Sequence, residues 1–88
     1  MPTALIADDE PQLAQHLARS LQALWPELTL LPNARNGNEA AARIAELQPD
    51  VAFLDIRMPG LTGLEVAQGI ESRTQVVFVT AYDEYAVH

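Results

Sequence analysis

The chain has 88 residues, no lysine and no cysteine, and it sets five arginines against twelve carboxylates for a formal net charge of -7. That balance excludes tight binding of this segment to a nucleic-acid backbone or an anionic membrane, and the missing residue types exclude lysine-amine chemistry, disulfides and zinc–thiolate sites. At 49% hydrophobic with four glycines, the composition is globular and suits one small domain with a marginal core.

No apolar run approaches the roughly 18 residues that cross a bilayer. The start, Met1-Pro2 and a short apolar run ending in acids, lacks a secretory pattern. The expectation is a cytoplasmic chain with no membrane partner.

Thr3 to Ala7 is an apolar run without polar alternation, as in a strand buried on both faces, and it stops at Asp8, Asp9 and Glu10. Pro11 suits the first turn of a helix, where its missing amide costs nothing. Leu13, Leu17, Leu21 and Leu24 follow at helical spacing, so one face of this helix packs inward until Pro26 ends it. Leu28 to Leu31 reads as a second strand. A polar turn with Asn33, Asn36, Gly37 and Asn38 leads into a second helix carrying Ala41, Ile44, Ala45 and Leu47, with Asn38 as the expected N-cap and Glu39 near its positive end.

Pro49 and Asp50 break that helix, and Val51 to Leu54 forms a third apolar strand finishing on Asp55. Met58, Pro59, Gly60 and Gly63 make a turn-rich connection to a third helix with Leu64, Ala67 and Ile70 inward. Val76 to Val79 is the fourth strand, ending at Thr80 and Ala81, and Tyr82 to His88 is where another helix would open. Strands and helices alternate at near-equal intervals, which predicts an α/β fold with a doubly wound parallel sheet covered on both faces.

Ligands bind such sheets at the carboxyl ends of the strands. Asp8 and Asp9 end the first strand and Asp55 ends the third, so adjacency of those strands brings three carboxylates into one crevice. Their mutual repulsion calls for a cation. An all-oxygen donor set favours Mg2+ over zinc, and the hydroxyl of Thr80 at the same edge suits phosphoryl transfer onto a carboxylate nucleophile. Each residue alone has an ordinary reading: acids after a strand cap helices, Met58-Pro59-Gly60 is a common turn, and threonine is common in strands. His16 reads as a solvated surface residue.

Three segments together, Leu5-Ile6-Ala7-Asp8-Asp9-Glu10-Pro11, Phe53-Leu54-Asp55-Ile56-Arg57-Met58-Pro59-Gly60 with Gly63, and Val77-Phe78-Val79-Thr80-Ala81, resemble the receiver domain of two-component response regulators. The ending Thr80 to Val87 is similar to receivers of the LytTR class (LytR/AlgR-like), which join this domain to a DNA-binding output domain. The resemblance implies a flavodoxin-like fold with strand order 2-1-3-4. It implies Asp55 as acceptor of a phosphoryl group from a sensor histidine kinase, and Mg2+ held by Asp8, Asp9, Asp55 and the backbone carbonyl of Arg57. Thr80 is then the switch hydroxyl, and the Ala81 amide binds the phosphoryl group.

The family pattern also has a lysine at the end of a fifth strand, which this sequence lacks. Residues 1–88 are therefore expected to be a partial receiver without the fifth strand and last helix. Impaired phosphorylation and switching follow from that expectation, as does self-association, into a homodimer through the fourth strand or by exchanged elements, with DNA contacted only through an output domain outside the chain. A switch module, not an enzyme with its own substrate, is the leading reading. The alternatives are a Mg2+-dependent phosphohydrolase, disfavoured because Arg57 stands where a second acid is needed, and a phosphate-independent interaction module.

Overall fold

A computed structural model describes residues 1–79. Seven elements alternate along the described residues: β1 (Thr3–Ala7), α1 (Pro11–Leu24), β2 (Thr29–Leu30), α2 (Gly37–Leu47), β3 (Val51–Asp55), α3 (Gly63–Gln68) and β4 (Gln75–Val79). The strands form one parallel sheet in the order β2-β1-β3-β4, as expected. Thr80, Ala81 and the segment 82–88 lie outside the described residues.

Side chains alternate between the two faces of a strand, so residues paired in register share a face. Leu5 pairs with Ala52 and Ala7 with Leu54. These four form one core with Ala34, with Ala40 and Ile44 of α2, with Met58 of the loop after β3, and with Val66 of α3. Ala4 and Ile6 alternate with them and are buried outside that cluster, as are Ala14 of α1 and Leu28. Each face of β1 is therefore covered by a different part of the chain, which is the reason its sequence is apolar throughout.

Helix ends follow local chemistry. Pro11 opens α1, and at its other end the Trp25 amide donates to the Leu21 carbonyl at 2.7 Å. The N-cap of α2 is Asn36 and not Asn38: the Asn36 side chain accepts the Glu39 amide at 2.8 Å, and the helix already runs from Gly37. Both asparagines precede the apolar pattern, and the cap falls on the one three residues ahead of an acid that reaches back, since Glu39 Oε1 accepts the Arg35 amide at 3.3 Å. Thr62 and Glu65 form a reciprocal capping box at the start of α3.

Inward faces also differ from the periodic reading. On α2, Gly37, Ala40 and Ile44 are buried, whereas Ala45 and Leu47 are exposed. On α3, Gly63 and Val66 are buried and Ala67 packs against the core as expected, as does Ile70 although it lies beyond the helix end at Gln68, while Leu64 is 49% exposed. Six residues make less than two turns, too few for the stripe drawn from Leu64 to Ile70. On α1, only Ala14 is fully buried, and Leu13 and Leu24 are exposed.

The amino ends of the strands are tied together by Asp50. Its carboxylate accepts the Thr3 amide at 2.8 Å, its amide donates to the Thr3 carbonyl at 3.0 Å, and its carbonyl accepts the Gln75 amide at 2.9 Å. The starts of β1, β3 and β4 are thus joined around one residue, at the edge opposite the strand ends that carry Asp8 and Asp55.

Candidate functional site

β1 and β3 are adjacent, so their carboxyl ends present Asp8, Asp9 and Asp55 at one edge of the sheet. One carboxylate oxygen from each lies within 4.8 Å of the others. Asp55 is buried, Asp8 half-buried and Asp9 exposed, so the group forms a graded bay open to solvent on one side. A groove of about 410 Å³ between α2 and α3, floored by Ile44, Val66 and Ile70, contains none of the three. The acids lie at the carboxyl edge of the sheet, apart from that groove.

Local hydrogen bonds orient the carboxylates. Asp8 Oδ1 accepts the Glu10 amide at 2.8 Å, which turns the chain from β1 into α1. The Asp8 amide itself donates to the Ala34 carbonyl at 3.0 Å. Asp55 Oδ1 accepts the Arg57 amide at 3.3 Å, folding the loop after β3 back over the carboxylate. That loop is closed by the Gly63 amide donating to the Ile56 carbonyl at 3.0 Å, and a side chain at Gly63 would strike the Asp55 carbonyl oxygen. Only glycine permits this approach.

Burial pushes the Asp55 carboxyl up to about 6, with Asp8 and Asp9 adding to the rise and the amides of Arg57 and Ile56 opposing it. Asp8 is also raised, first by burial and then by its acidic neighbours Asp9 and Glu10, against the hydrogen bonds from the Glu10 amide and with Asp55. Negative charge is therefore concentrated here beyond what the protein compensates. Three oxygen donors with excess negative charge, part buried and part open, fit a hard divalent cation that retains water and accepts further oxygen ligands.

Of the residues singled out in the sequence, Asp8, Asp9 and Asp55 are brought together, and Arg57 lies on the loop that closes over Asp55. Thr80 and Ala81 fall beyond the described residues. Periodicity and motif did not reveal the contribution of Ala34, whose carbonyl holds the Asp8 amide; an alanine carries no chemical signal in a sequence. Among the described residues, no helix is long and apolar enough to cross a membrane.

A doubly wound α/β sheet with an acidic bay at the carboxyl ends of two adjacent central strands defines a class of small ligand-binding α/β domains. The chain belongs to the response regulator receiver domain family, whose model matches residues 4–88. It is 52% identical over 88 residues to an uncharacterised response regulatory protein of Vibrio cholerae, a match covering 97% of this chain and 34% of that protein. It is 48% identical over 86 residues to the positive alginate biosynthesis regulatory protein of Pseudomonas aeruginosa, covering 94% of this chain and 35% of that one. The chain thus spans about a third of the length of these curated relatives. The fold is similar to the response regulator TrrA of Thermotoga maritima, solved in complex with Mg2+-BeF, with a TM-score of 0.84 and 35% identity over 98% of this chain and 75% of that one.

Proposed function

We propose that this chain is the phosphoryl-accepting switch of a two-component response regulator, not an enzyme with its own substrate. The observation that carries the reading is the convergence of Asp8, Asp9 and Asp55 within 4.8 Å at the carboxyl edge of the sheet. A sensor histidine kinase is the donor, which places the chain in the cytoplasm. An Asp55 carboxylate oxygen forms the new bond to phosphorus as the bond from phosphorus to the phosphohistidine nitrogen breaks, and the released imidazole takes a proton from water.

Asp8, Asp9, Asp55 and the Arg57 carbonyl hold Mg2+, which supplies charge neutralisation to the incoming phosphoryl oxygens. The Mg2+-BeF complex of TrrA supports this assignment. Thr80 acts as the switch hydroxyl and Ala81 offers its amide to the phosphoryl group. Two residues beyond Asp55 stands Arg57, with no acid to protonate a leaving group, which supports a switch over a phosphohydrolase.

The described residues carry four strands of the receiver, and the sequence has no lysine to pair with the phosphoryl group. This chain by itself therefore binds Mg2+ but is phosphorylated and switched weakly. Similarity to the alginate regulator supports the LytTR class, in which DNA is contacted and transcription controlled through an output domain outside this segment. Self-association is favoured by β4, an edge strand among those described whose Val77 and Phe78 are 43% and 44% exposed.

Two measurements test the proposal. Calorimetric titration with Mg2+ shows binding that Asp55→Asn and Asp9→Asn each weaken, and a wild-type chain that takes up no Mg2+ contradicts the reading. Intact-mass analysis after treatment with acetyl phosphate and Mg2+ shows a small fraction of singly phosphorylated chain that disappears in Asp55→Asn; modification persisting in that variant removes Asp55 from its role.

A further inference from the structure

The segment Ala34 to Gly37, which runs from the loop after β2 into the first residue of α2, contributes no side chain to the acidic bay, yet its backbone reaches both acid-bearing loops. Ala34 bridges to Ala7 at the end of β1, donates its amide to the Ile6 carbonyl at 3.0 Å and accepts the Asp8 amide at 3.0 Å. Three residues later, the Gly37 amide donates to the Pro59 carbonyl at 3.1 Å, in the loop that follows Asp55. One short stretch of main chain is thus bonded to the loop bearing Asp8 and to the loop bearing Arg57.

This stretch is anchored independently of the loop after β3. Asn36 caps α2, and Glu39 ties back to the Arg35 amide and pairs with Arg43 at 3.1 Å. Arg43 also donates to the carbonyls of Pro32 and Asn33, fixing α2 to the loop after β2. Against this abutment lies Leu61. A Cβ on Gly37 would overlap the Leu61 carbonyl oxygen, carbon and Cα, all backbone atoms, so no change of rotamer relieves the collision.

We infer that Gly37 is a positioning residue for the metal and phosphoryl site: its bare Cα lets the loop from Arg57 to Leu61 seat on the first turn of α2. That seat sets the Arg57 carbonyl and Asp55 at their distance from Asp8. The inference rests on the Mg2+ reading of the site given above. Gly37 has no positive φ, so within the helix alone alanine is acceptable or better. A helix-only role and a positioning role therefore predict opposite consequences for Gly37→Ala.

The test is Mg2+ titration of the 15N-labelled chain followed by the amide resonances of Asp8, Asp55, Arg57 and Gly63. Ala42→Gly, on an exposed position of α2, serves as the control for a weakened helix. Gly37→Ala is expected to shift the Asp55, Arg57 and Gly63 resonances before any metal is added and to weaken Mg2+ binding by about tenfold or more, the usual cost of disturbing groups that orient metal ligands. Ala42→Gly leaves both unchanged. A folded Gly37→Ala chain with a smaller loss overturns the inference.

If Gly37→Ala does not fold, hydrogen exchange of the wild-type chain decides: Mg2+ should slow exchange of the Gly37 amide, and an unchanged rate overturns the inference. A wild-type chain without any Mg2+ response overturns the reading of the site and this inference with it. A wild-type response matched by Gly37→Ala overturns the inference alone.

Discussion

β3 and β4 are neighbouring strands of five residues, paired in register from Val51 with Gln75 to Asp55 with Val79, yet their burial differs sharply. In β3, Ala52, Leu54 and Asp55 are buried and the other two residues are half-buried. In β4, three of the five are exposed. Along the row Ala7, Leu54 and Phe78, the first two are buried and the third is 44% exposed, although all three lie on the face covered by α2 and α3. An apolar run thus identifies a strand, while its neighbours decide how much of it leaves water.

The largest expected effect lies at the centre of the sheet. Leu54→Ala removes a fully buried side chain from the core and should cost about 2–5 kcal/mol in urea denaturation, whereas Phe78→Ala on the adjacent strand should cost only about 1 kcal/mol despite the larger side chain. Equal losses would break the distinction between the two strands.

A second difference is electrostatic, since β3 ends on a buried carboxyl and β4 on Val79. Burial raises the Asp55 carboxyl to about 6 from an ordinary 3.8, so the folded chain keeps a proton that the unfolded chain has already released. The stability contributed by this group is fully present below about 3.8 and is lost as pH rises to about 6. Denaturation midpoints of wild type and Asp55→Asn should therefore converge in acid and separate at neutral pH, with the variant more stable. Saturating Mg2+ should narrow the gap by stabilising the ionised wild type. Parallel profiles would show that Asp55 is not held above its ordinary range.

The smallest change in stability is expected at the edge. Val77→Lys should alter the denaturation free energy by no more than about 0.5 kcal/mol, because the side chain already meets solvent. Light scattering at high concentration should nonetheless show less self-association, since a lysine on an edge strand opposes pairing with another chain. A chain that is monomeric before the substitution removes the proposed association.

The alternation of strands and helices was legible in the sequence because it depends on pattern, apolar runs between turn residues; the order of the sheet came only with the resemblance to receiver domains, and it is the adjacency of β1 and β3 in that order that makes acids at two strand ends a meeting of three aspartates. Position within a pattern was less legible. Asn36 and Asn38 are chemically alike, and the side chain of Glu39, reaching the Arg35 amide, distinguishes them only in three dimensions. Leu64 belongs to a helix too short to enforce its period, so its apolar character did not translate into burial. Gly37 read only as part of a polar turn, because the backbone that leaves no space there for a methyl group, at Leu61, lies far along the chain.

Asp50 fastens the starts of three strands at the edge farthest from the acids, and Met1 lies 93% exposed just before the first of them. An affinity tag, fluorophore or surface tether attached at Met1 therefore projects from the edge of the domain opposite the acids. Immobilisation at Met1 should leave the aspartates facing free solution, where added Mg2+ or acetyl phosphate can reach them.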